Sequence, residues 1–234
     1  AIGNGFIPDI PDIGFLDDRH KVTLIIGVIA IIFSIISAIR SRQKKISYNF
    51  EVSSPSMFIL QMILTSAIIG YVVWVLSGYN GLSWSLVVVL IVVALFTFIT
   101  TKTPLGRHIY AVGGNPEAAE LSGISVSRIT LLVFAFMGVL SALSGILYAS
   151  RLQSATTTAG LGFETDAIAA AFVGGVSAAG GVGTITGSII GALVMMSLTS
   201  GMNLMGIDIS IQYIVRGAVL VGAVIVDRAT RKGR

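Results

Sequence analysis

The chain has 234 residues, of which 54% are hydrophobic and 11% charged, and its mean hydropathy is +0.92. A water-soluble globular domain of this size does not need so much apolar surface, so the composition predicts an integral membrane protein. The formal net charge is +4, but the basic residues flank apolar runs without interleaved aromatics, which favours a role in membrane topology over nucleic-acid binding. The absence of cysteine excludes disulfides and thiol catalysis.

Six apolar runs approach the roughly 20 residues that a helix needs to cross a bilayer. In chain order they lie at about 22–39, 58–76, 82–99, 129–150, 185–205 and 209–226. A shorter apolar piece occupies about 165–179. The sequence therefore predicts an all-α fold, a polytopic transmembrane helical bundle with a short or re-entrant helix near 165–179.

Basic residues orient these spans, because lysine and arginine concentrate on the cytoplasmic side of a membrane. Eleven of the fifteen follow the first, third or last span. They are Arg40, Arg42, Lys44, Lys45, Lys102, Arg107, Arg128, Arg228, Arg231, Lys232 and Arg234. The N-terminal segment instead carries Asp9, Asp12, Asp17 and Asp18. We expect a multi-pass protein of the bacterial inner (plasma) membrane, with the N-terminus of this chain outside and its C-terminus cytoplasmic.

The short piece at 165–179 is the irregular part of the pattern. Fifteen helical residues cover about 22 Å, against a hydrocarbon core of about 30 Å. Two interpretations remain open: a half-helix or re-entrant segment, and an ordinary hairpin with one short, tilted helix. Gly183, Gly187 and Gly191 recur every four residues and predict a smooth helix face for close packing, and Gly138 with Gly145 suggests another.

No constellation for catalysis or metal binding emerges. The GGVGTITGS stretch at 180–188 lacks the lysine of a phosphate-binding loop, and no residues have metal-ligand spacing. His20 and His108 lie at predicted interfaces, which indicates solvated or headgroup positions. Glu164 and Asp166 are interpreted either as helix N-terminal charges or as a proton or substrate site, and Arg216 is expected to face protein or water.

The segment 101–128 lies between two spans and contains a helix signal. Asn115 is a helix cap, Pro116 suits the first turn, Glu117 suits the positive helix end, and Gly123 would terminate the helix. About two turns of helix are not stable alone in water. We therefore expect either the bundle or a partner protein to support this helix.

The same residues resemble a known family. Glu117-Ala118-Ala119, followed after three residues by Gly123, matches the EAA-type cytoplasmic loop of ATP-binding-cassette (ABC) importer permeases. The stretch GRHIYAVGGNPEAAELSGISVSR looks like the form found in ribose/xylose-type simple-sugar permeases. Further matches follow at 144–155, 163–193 and 201–227, so the resemblance covers about 105–228.

The resemblance implies a single transmembrane permease domain over 1–234, a C-terminal fragment without the family's N-terminal spans, with a cytoplasmic coupling loop at 101–128. Such a subunit translocates a simple sugar, a pentose such as xylose or ribose being the first expectation. The implied partners are a cytoplasmic ATPase that binds ATP and Mg, an extracytoplasmic sugar-binding protein, a second permease copy forming a homodimer, and the lipid bilayer. This chain itself would bind no cofactor, metal or nucleic acid and would not be an enzyme.

Two sets of residues follow from the resemblance. The predicted ATPase-coupling residues are Gly113, Gly114, Asn115, Pro116, Glu117, Ala118, Ala119, Leu121, Ser122 and Gly123. The predicted translocation path comprises Glu164, Asp166, Gly174, Gly175, Ser177, Gly180, Gly181, Gly183 and Asn203. The alternatives are an ion-coupled secondary transporter or channel, which would require paired ionisable groups at membrane depth, and a membrane anchor without conduction.

Overall fold

The computed structural model describes residues 5–7, 20–48, 54–78, 81–154 and 156–231. Over these residues the chain forms nine α-helices and no β-strand, with an isolated bridge between Phe6 and Ser83. The helices are α1 (Lys21–Ser47), α2 (Pro55–Ser77), α3 (Trp84–Lys102), α4 (Pro104–Gly114), α5 (Pro116–Leu121), α6 (Val126–Leu152), α7 (Phe163–Val173), α8 (Ile185–Leu204) and α9 (Ile209–Arg231).

Six of these helices, α1, α2, α3, α6, α8 and α9, are long and apolar enough to cross a membrane. They coincide with the six predicted runs, and the all-α polytopic fold is confirmed. The acidic residues that oriented the N-terminus, Asp9, Asp12, Asp17 and Asp18, lie outside the described residues, as do Lys232 and Arg234.

The chain divides into two compact units, Ala1–Val87 and Val88–Arg234. In the first, α1 packs against α2, where a Cβ added to Gly27 would lie 2.7 Å from a methyl group of Val73. His20 caps α1: its Nδ1 accepts from the Thr23 N–H at 3.4 Å, and its Nε2 donates to the Ile7 carbonyl at 2.7 Å. His20 is half-buried, and its ring binds local backbone groups at the start of the first long helix, a capping role that the predicted solvated or headgroup position did not include.

The second unit is organised around α7, which packs against both α8 and α9. Glycines on α8 bring α7 and α8 together as an antiparallel pair. A Cβ on Gly187 would overlap the Gly174 carbonyl, and one on Gly191 would lie 2.7 Å from the Gly174 nitrogen and overlap the Ala170 carbonyl. The predicted smooth face is thus confirmed at these two positions.

Helix α9 runs parallel to α7. Two polar contacts, Asp166 with Arg216 and Ser177 with Asp227, each join residues 50 positions apart, so both segments advance in the same direction. Between the polar contacts lies a small apolar core of Ala169, Ala170 and Met195. Val173, Val219 and Leu220 pack against this core.

The structure differs from the sequence prediction at the short piece near 165–179. Helix α7 ends at Val173, because Gly174 and Gly175 follow and Gly175 has φ +86°. Residues 174–184, which we name the glycine loop, are not helical. Eleven residues of α7 cover only about 16 Å, which favours the half-helix interpretation.

Two glycine predictions are also corrected. Gly183 belongs to the glycine loop and not to the α8 face, since α8 begins at Ile185. Within the part of the chain that the structure describes, no atom lies within 4 Å of a Cβ added to Gly138 or Gly145, apart from the helix's own backbone and chain neighbours. These two glycines therefore mark no close approach in this structure.

Candidate functional site

The segment between α3 and α6 contains two helices. In α5, the Asn115 side chain accepts a hydrogen bond from the Ala118 N–H at 3.0 Å, Pro116 occupies the first turn, and Gly123 follows the helix with φ +82°. The predicted start and end of this helix are confirmed. Helix α4 was not predicted, although Thr103 caps it and Pro104 occupies its first turn in the same pattern. Asn115 is the only residue between α4 and α5.

Helix α5 has one inward and one outward face. Ala119 is 4% exposed, and α5 packs against α4 and α6. Leu121 is 91% exposed, and Glu117, Ala118 and Glu120 are exposed beside it. The small side chain of Ala119 therefore packs within its own unit, while the exposed residues offer a mixed polar and apolar surface.

The Asn115 cap gives a first testable prediction. Asn115→Ala removes the acceptor of the Ala118 N–H, and loss of such a cap costs about 0.5–2 kcal/mol of helix stability. Because α5 has only six residues, we expect faster hydrogen exchange at the amides of residues 118–121. Asn115→Asp keeps an acceptor oxygen and should exchange like the native chain. Equal exchange in Asn115→Ala would contradict the capping role.

The C-terminal end of α4 lies against the glycine loop. A Cβ on Gly113 would be 2.8 Å from the Gly181 nitrogen, and one on Gly181 would be 2.6 Å from the Gly114 Cα. Gly180 and Gly181 have φ +87° and +71°, the left-handed region that favours glycine. The Tyr110 hydroxyl donates to the Gly183 carbonyl at 2.8 Å. The structure thus brings Gly113 and Gly114 of the predicted coupling set together with three glycines of the predicted path.

The glycine loop also contacts the C-terminal part of α9. Asp227 Oδ2 accepts hydrogen bonds from the Ser177 hydroxyl and the Ala178 N–H, both at 3.3 Å. Ser177 is 5% exposed, and its Oγ also accepts from the Ala179 N–H at 3.2 Å. Sequence reasoning missed Asp227. Asp227 could have been found from its position at the C-terminal end of a predicted helix. The helix dipole disfavours a negative charge there, so the carboxylate needs a compensating partner.

A second polar cluster lies nearer the start of α9. Arg216 Nη1 donates to Asp166 Oδ2 at 2.8 Å, and the two side chains are 17% and 30% exposed. The guanidinium also lies 5.7 Å from the Tyr213 ring centroid. This contact shows that Arg216 faces protein, as predicted. Glu164 is exposed, and the structure does not join it to this ion pair.

The junction of α8 and α9 is held by amides. The Gln212 side chain is 3% exposed and donates to Asn203 Oδ1 and to the Ile207 carbonyl, each at 2.9 Å. Gln212 was not predicted, and Asn203 has its side-chain oxygen engaged within the chain. Asp208 lies just before α9. Its carboxylate accepts a hydrogen bond from the Ser210 N–H at 2.8 Å, and this bond, with a smaller contribution from the Ser210 side chain, lowers the pKa of Asp208.

These features define a multi-pass membrane protein in which α4, next to the short capped α5, lies against a glycine-rich loop that joins two packed helices. The chain belongs to the family described as "Branched-chain amino acid transport system / permease component", which it matches over residues 15–224. No solved structure matches it.

Three curated relatives show the range of similarity. The chain is 37% identical to the xylose transport system permease protein XylH of Haemophilus influenzae, over 99% of this chain and 59% of that protein. It is 39% identical to XylH of Escherichia coli K12, over 82% of this chain and 49% of that protein. It is 48% identical to the ribose import permease protein RbsC of Bacillus subtilis, over 54% of this chain and 39% of that protein. The chain thus spans about half the length of the curated relatives that it matches.

Proposed function

We propose that this protein is the permease subunit of an ABC importer that carries a simple sugar, with D-xylose as the first candidate and D-ribose as the second. The observation that carries the proposal is the similarity to a xylose permease along 99% of the chain. The six apolar helices and the exposed, capped α5 between two of them are what such a subunit requires.

The proposal places α5 and the basic residues around it on the cytoplasmic side, with the N-terminus of this chain outside and its C-terminus inside. An ATPase subunit that binds ATP and Mg would contact α5, a sugar-binding protein would deliver the sugar from outside, and a second permease copy would complete the pathway. Leu121 and Glu117 are exposed on α5 and suit an apolar and a polar contact with the ATPase.

Two observations bear on the alternatives and on the pathway. Asp166 pairs with Arg216, the kind of partner that stabilises a carboxylate at membrane depth, and the similarity to xylose and ribose permeases favours an ATP-driven importer over an ion-coupled mechanism. Ser177 and Asn203 are engaged with Asp227 and Gln212. We therefore propose that these two residues shape the pathway, while the remaining predicted path residues, Glu164, Asp166, Gly174, Gly175, Gly180, Gly181 and Gly183, stay a prediction.

The test of this function is sugar uptake by the full-length subunit, reconstituted in liposomes with the ATPase and binding protein from its own organism. We expect ATP-dependent uptake of D-xylose or D-ribose. Because the family description names branched-chain amino acids, L-leucine and L-valine are measured beside them. Uptake of an amino acid in place of both sugars would overturn the sugar assignment, and uptake driven by an ion gradient without ATP would overturn the importer class.

The coupling role of α5 gives a second prediction. Glu117→Lys reverses a charge on the exposed face, and the loss of one charge-assisted contact with the ATPase should lower uptake about tenfold. Membrane insertion should be unchanged, since Glu117 is exposed. Gln43→Lys, exposed near the C-terminal end of α1 and outside the segment 101–128, is the matched control. If Glu117→Lys took up sugar at the native rate, Glu117 would not take part in the proposed contact with the ATPase.

A further inference from the structure

The glycine loop makes three contacts with two other helices of its unit. The C-terminal end of α4 lies against it through backbone atoms, Tyr110 of α4 binds it through a hydroxyl, and Asp227 of α9 binds it through a carboxylate. The loop itself joins α7 to α8. A displacement of α4 would therefore act directly on the loop that connects α7 to α8.

The contact between α4 and the loop is stiff for a simple reason. Gly113 and Gly114 meet Gly180 and Gly181 without intervening side chains, so no rotamer change can absorb a small movement. A contact of backbone against backbone therefore passes a displacement of α4 on to the loop. The single residue Asn115 between α4 and α5 likewise leaves little slack between these helices.

Side chains of two helices hold the loop in place through hydrogen bonds. Tyr110 holds the loop near its α8 end at Gly183, and Asp227 holds it near its α7 end through Ser177 and Ala178. Ser177 is 5% exposed and Asp227 is half-buried, so the Ser177 hydroxyl has little access to water in place of the carboxylate. A buried donor left unsatisfied costs more than the bond itself contributes.

We infer that the glycine loop relays movement of α5 to the α7–α8 pair, and that Tyr110 and Asp227 are positioning residues for this relay. The inference rests on the proposed function, because movement of α5 has a cause only where an ATPase binds it. Neither residue contacts the sugar in this scheme. Both act by holding the loop against α4 and α9, so their removal separates ATP hydrolysis from transport while leaving both partners bound.

The experiment uses the same reconstituted full-length transporter and measures D-xylose or D-ribose uptake, whichever the native protein carries, together with ATP hydrolysis. Tyr110→Phe keeps the ring and removes only the hydroxyl. Asp227→Ala removes the acceptor, whereas Asp227→Asn keeps an oxygen that can accept. For Tyr110→Phe and Asp227→Ala we expect about a fivefold fall in the sugar carried per ATP, because the free energy of one lost hydrogen bond corresponds to about this factor. For Asp227→Asn we expect a near-native ratio.

Two further variants provide controls. Tyr148→Phe is matched to Tyr110→Phe. The centroid of the Tyr148 ring lies 5.1 Å from that of Phe163, and Phe163 is outside the glycine loop, so the Tyr148→Phe protein should carry sugar normally. Ser177→Ala should resemble Asp227→Ala, and the double variant should be no worse than either single one, because both act through one contact. Independent, additive losses would indicate general destabilisation and overturn the relay.

A second readout does not depend on transport. Residues 1–234 contain no cysteine, so Ala179→Cys at an exposed position of the glycine loop, in a full-length subunit whose cysteines outside these residues are replaced by serine, reports accessibility to a water-soluble thiol reagent. We expect ATP to change the labelling rate in the native background and not with Tyr110→Phe. A native ratio of sugar to ATP in all loop variants, or labelling that ATP never changes, would overturn the relay alone. If the native protein carries neither sugar, the proposed function itself fails.

Discussion

Replacement of Gly191 by alanine is expected to destabilise the second unit more than alanine at any other glycine that the structure describes. The added Cβ would lie 2.7 Å from the Gly174 nitrogen and overlap the Ala170 carbonyl oxygen. Both obstacles are backbone atoms of α7 and its cap, so no side chain can turn away. Overpacking of this kind costs about 1–3 kcal/mol and occasionally more, and we expect the upper end.

The measurement is the fraction of detergent-purified protein that stays monodisperse after heating. Gly145→Ala is the matched control, because Gly145 lies inside α6 and its added Cβ would meet nothing within 4 Å. Alanine there should gain up to about 1 kcal/mol from helix propensity. If Gly191→Ala were as heat-resistant as Gly145→Ala, the close α7–α8 contact would be wrong.

Removal of the Arg216 guanidinium should have the second largest effect on stability. Arg216→Met leaves Asp166 on α7 without its cationic partner, in a part of the protein where both side chains are largely shielded, at 17% and 30% exposure. An uncompensated buried charge costs about 3–5 kcal/mol. Partial solvation of Asp166 reduces this, so we expect about 2–3 kcal/mol.

Thermal unfolding in detergent tests this expectation through a double-mutant cycle. Asp166→Leu with Arg216→Met replaces both charges by apolar groups and should recover most of the lost stability, because no charge is then left unpaired. Arg216→Lys keeps the charge and should lie between the native protein and Arg216→Met. An Arg216→Met protein as stable as the native one, or a double variant less stable than both single ones, would show that the pair does not hold α7 to α9.

Local signals account for the parts of the structure that were predicted. The six long helices follow from uninterrupted apolar runs, because each run satisfies its own backbone hydrogen bonds and needs no partner to become helical. Helix α5 follows from Asn115 and Pro116 at its start and Gly123 at its end. Helix α4 was missed, although Thr103 and Pro104 carry the same start signal, because its sequence mixes basic residues and glycines and lacks an apolar run.

The candidate site was predicted as two separate sets, and their junction was not foreseen. Tyr110 and Gly183 are 73 residues apart, and Ser177 and Asp227 are 50 apart. Nothing within a local window pairs such residues. Asp227 offered only the indirect signal of a carboxylate near a helix C-terminus, and the engagement of Asn203 by Gln212 had no signal at all.

The sequence by itself determined the membrane class, the number of long spans and the position of the capped α5, since hydropathy, length and capping are properties of contiguous residues. Only the tertiary structure decided that Gly187 and Gly191 lie against the backbone of α7 and its cap, and that the glycine loop contacts both α4 and α9. The physical reason is that glycine carries no side chain to indicate a partner. Its role is defined by the backbone that approaches it, and that backbone comes from a distant part of the chain.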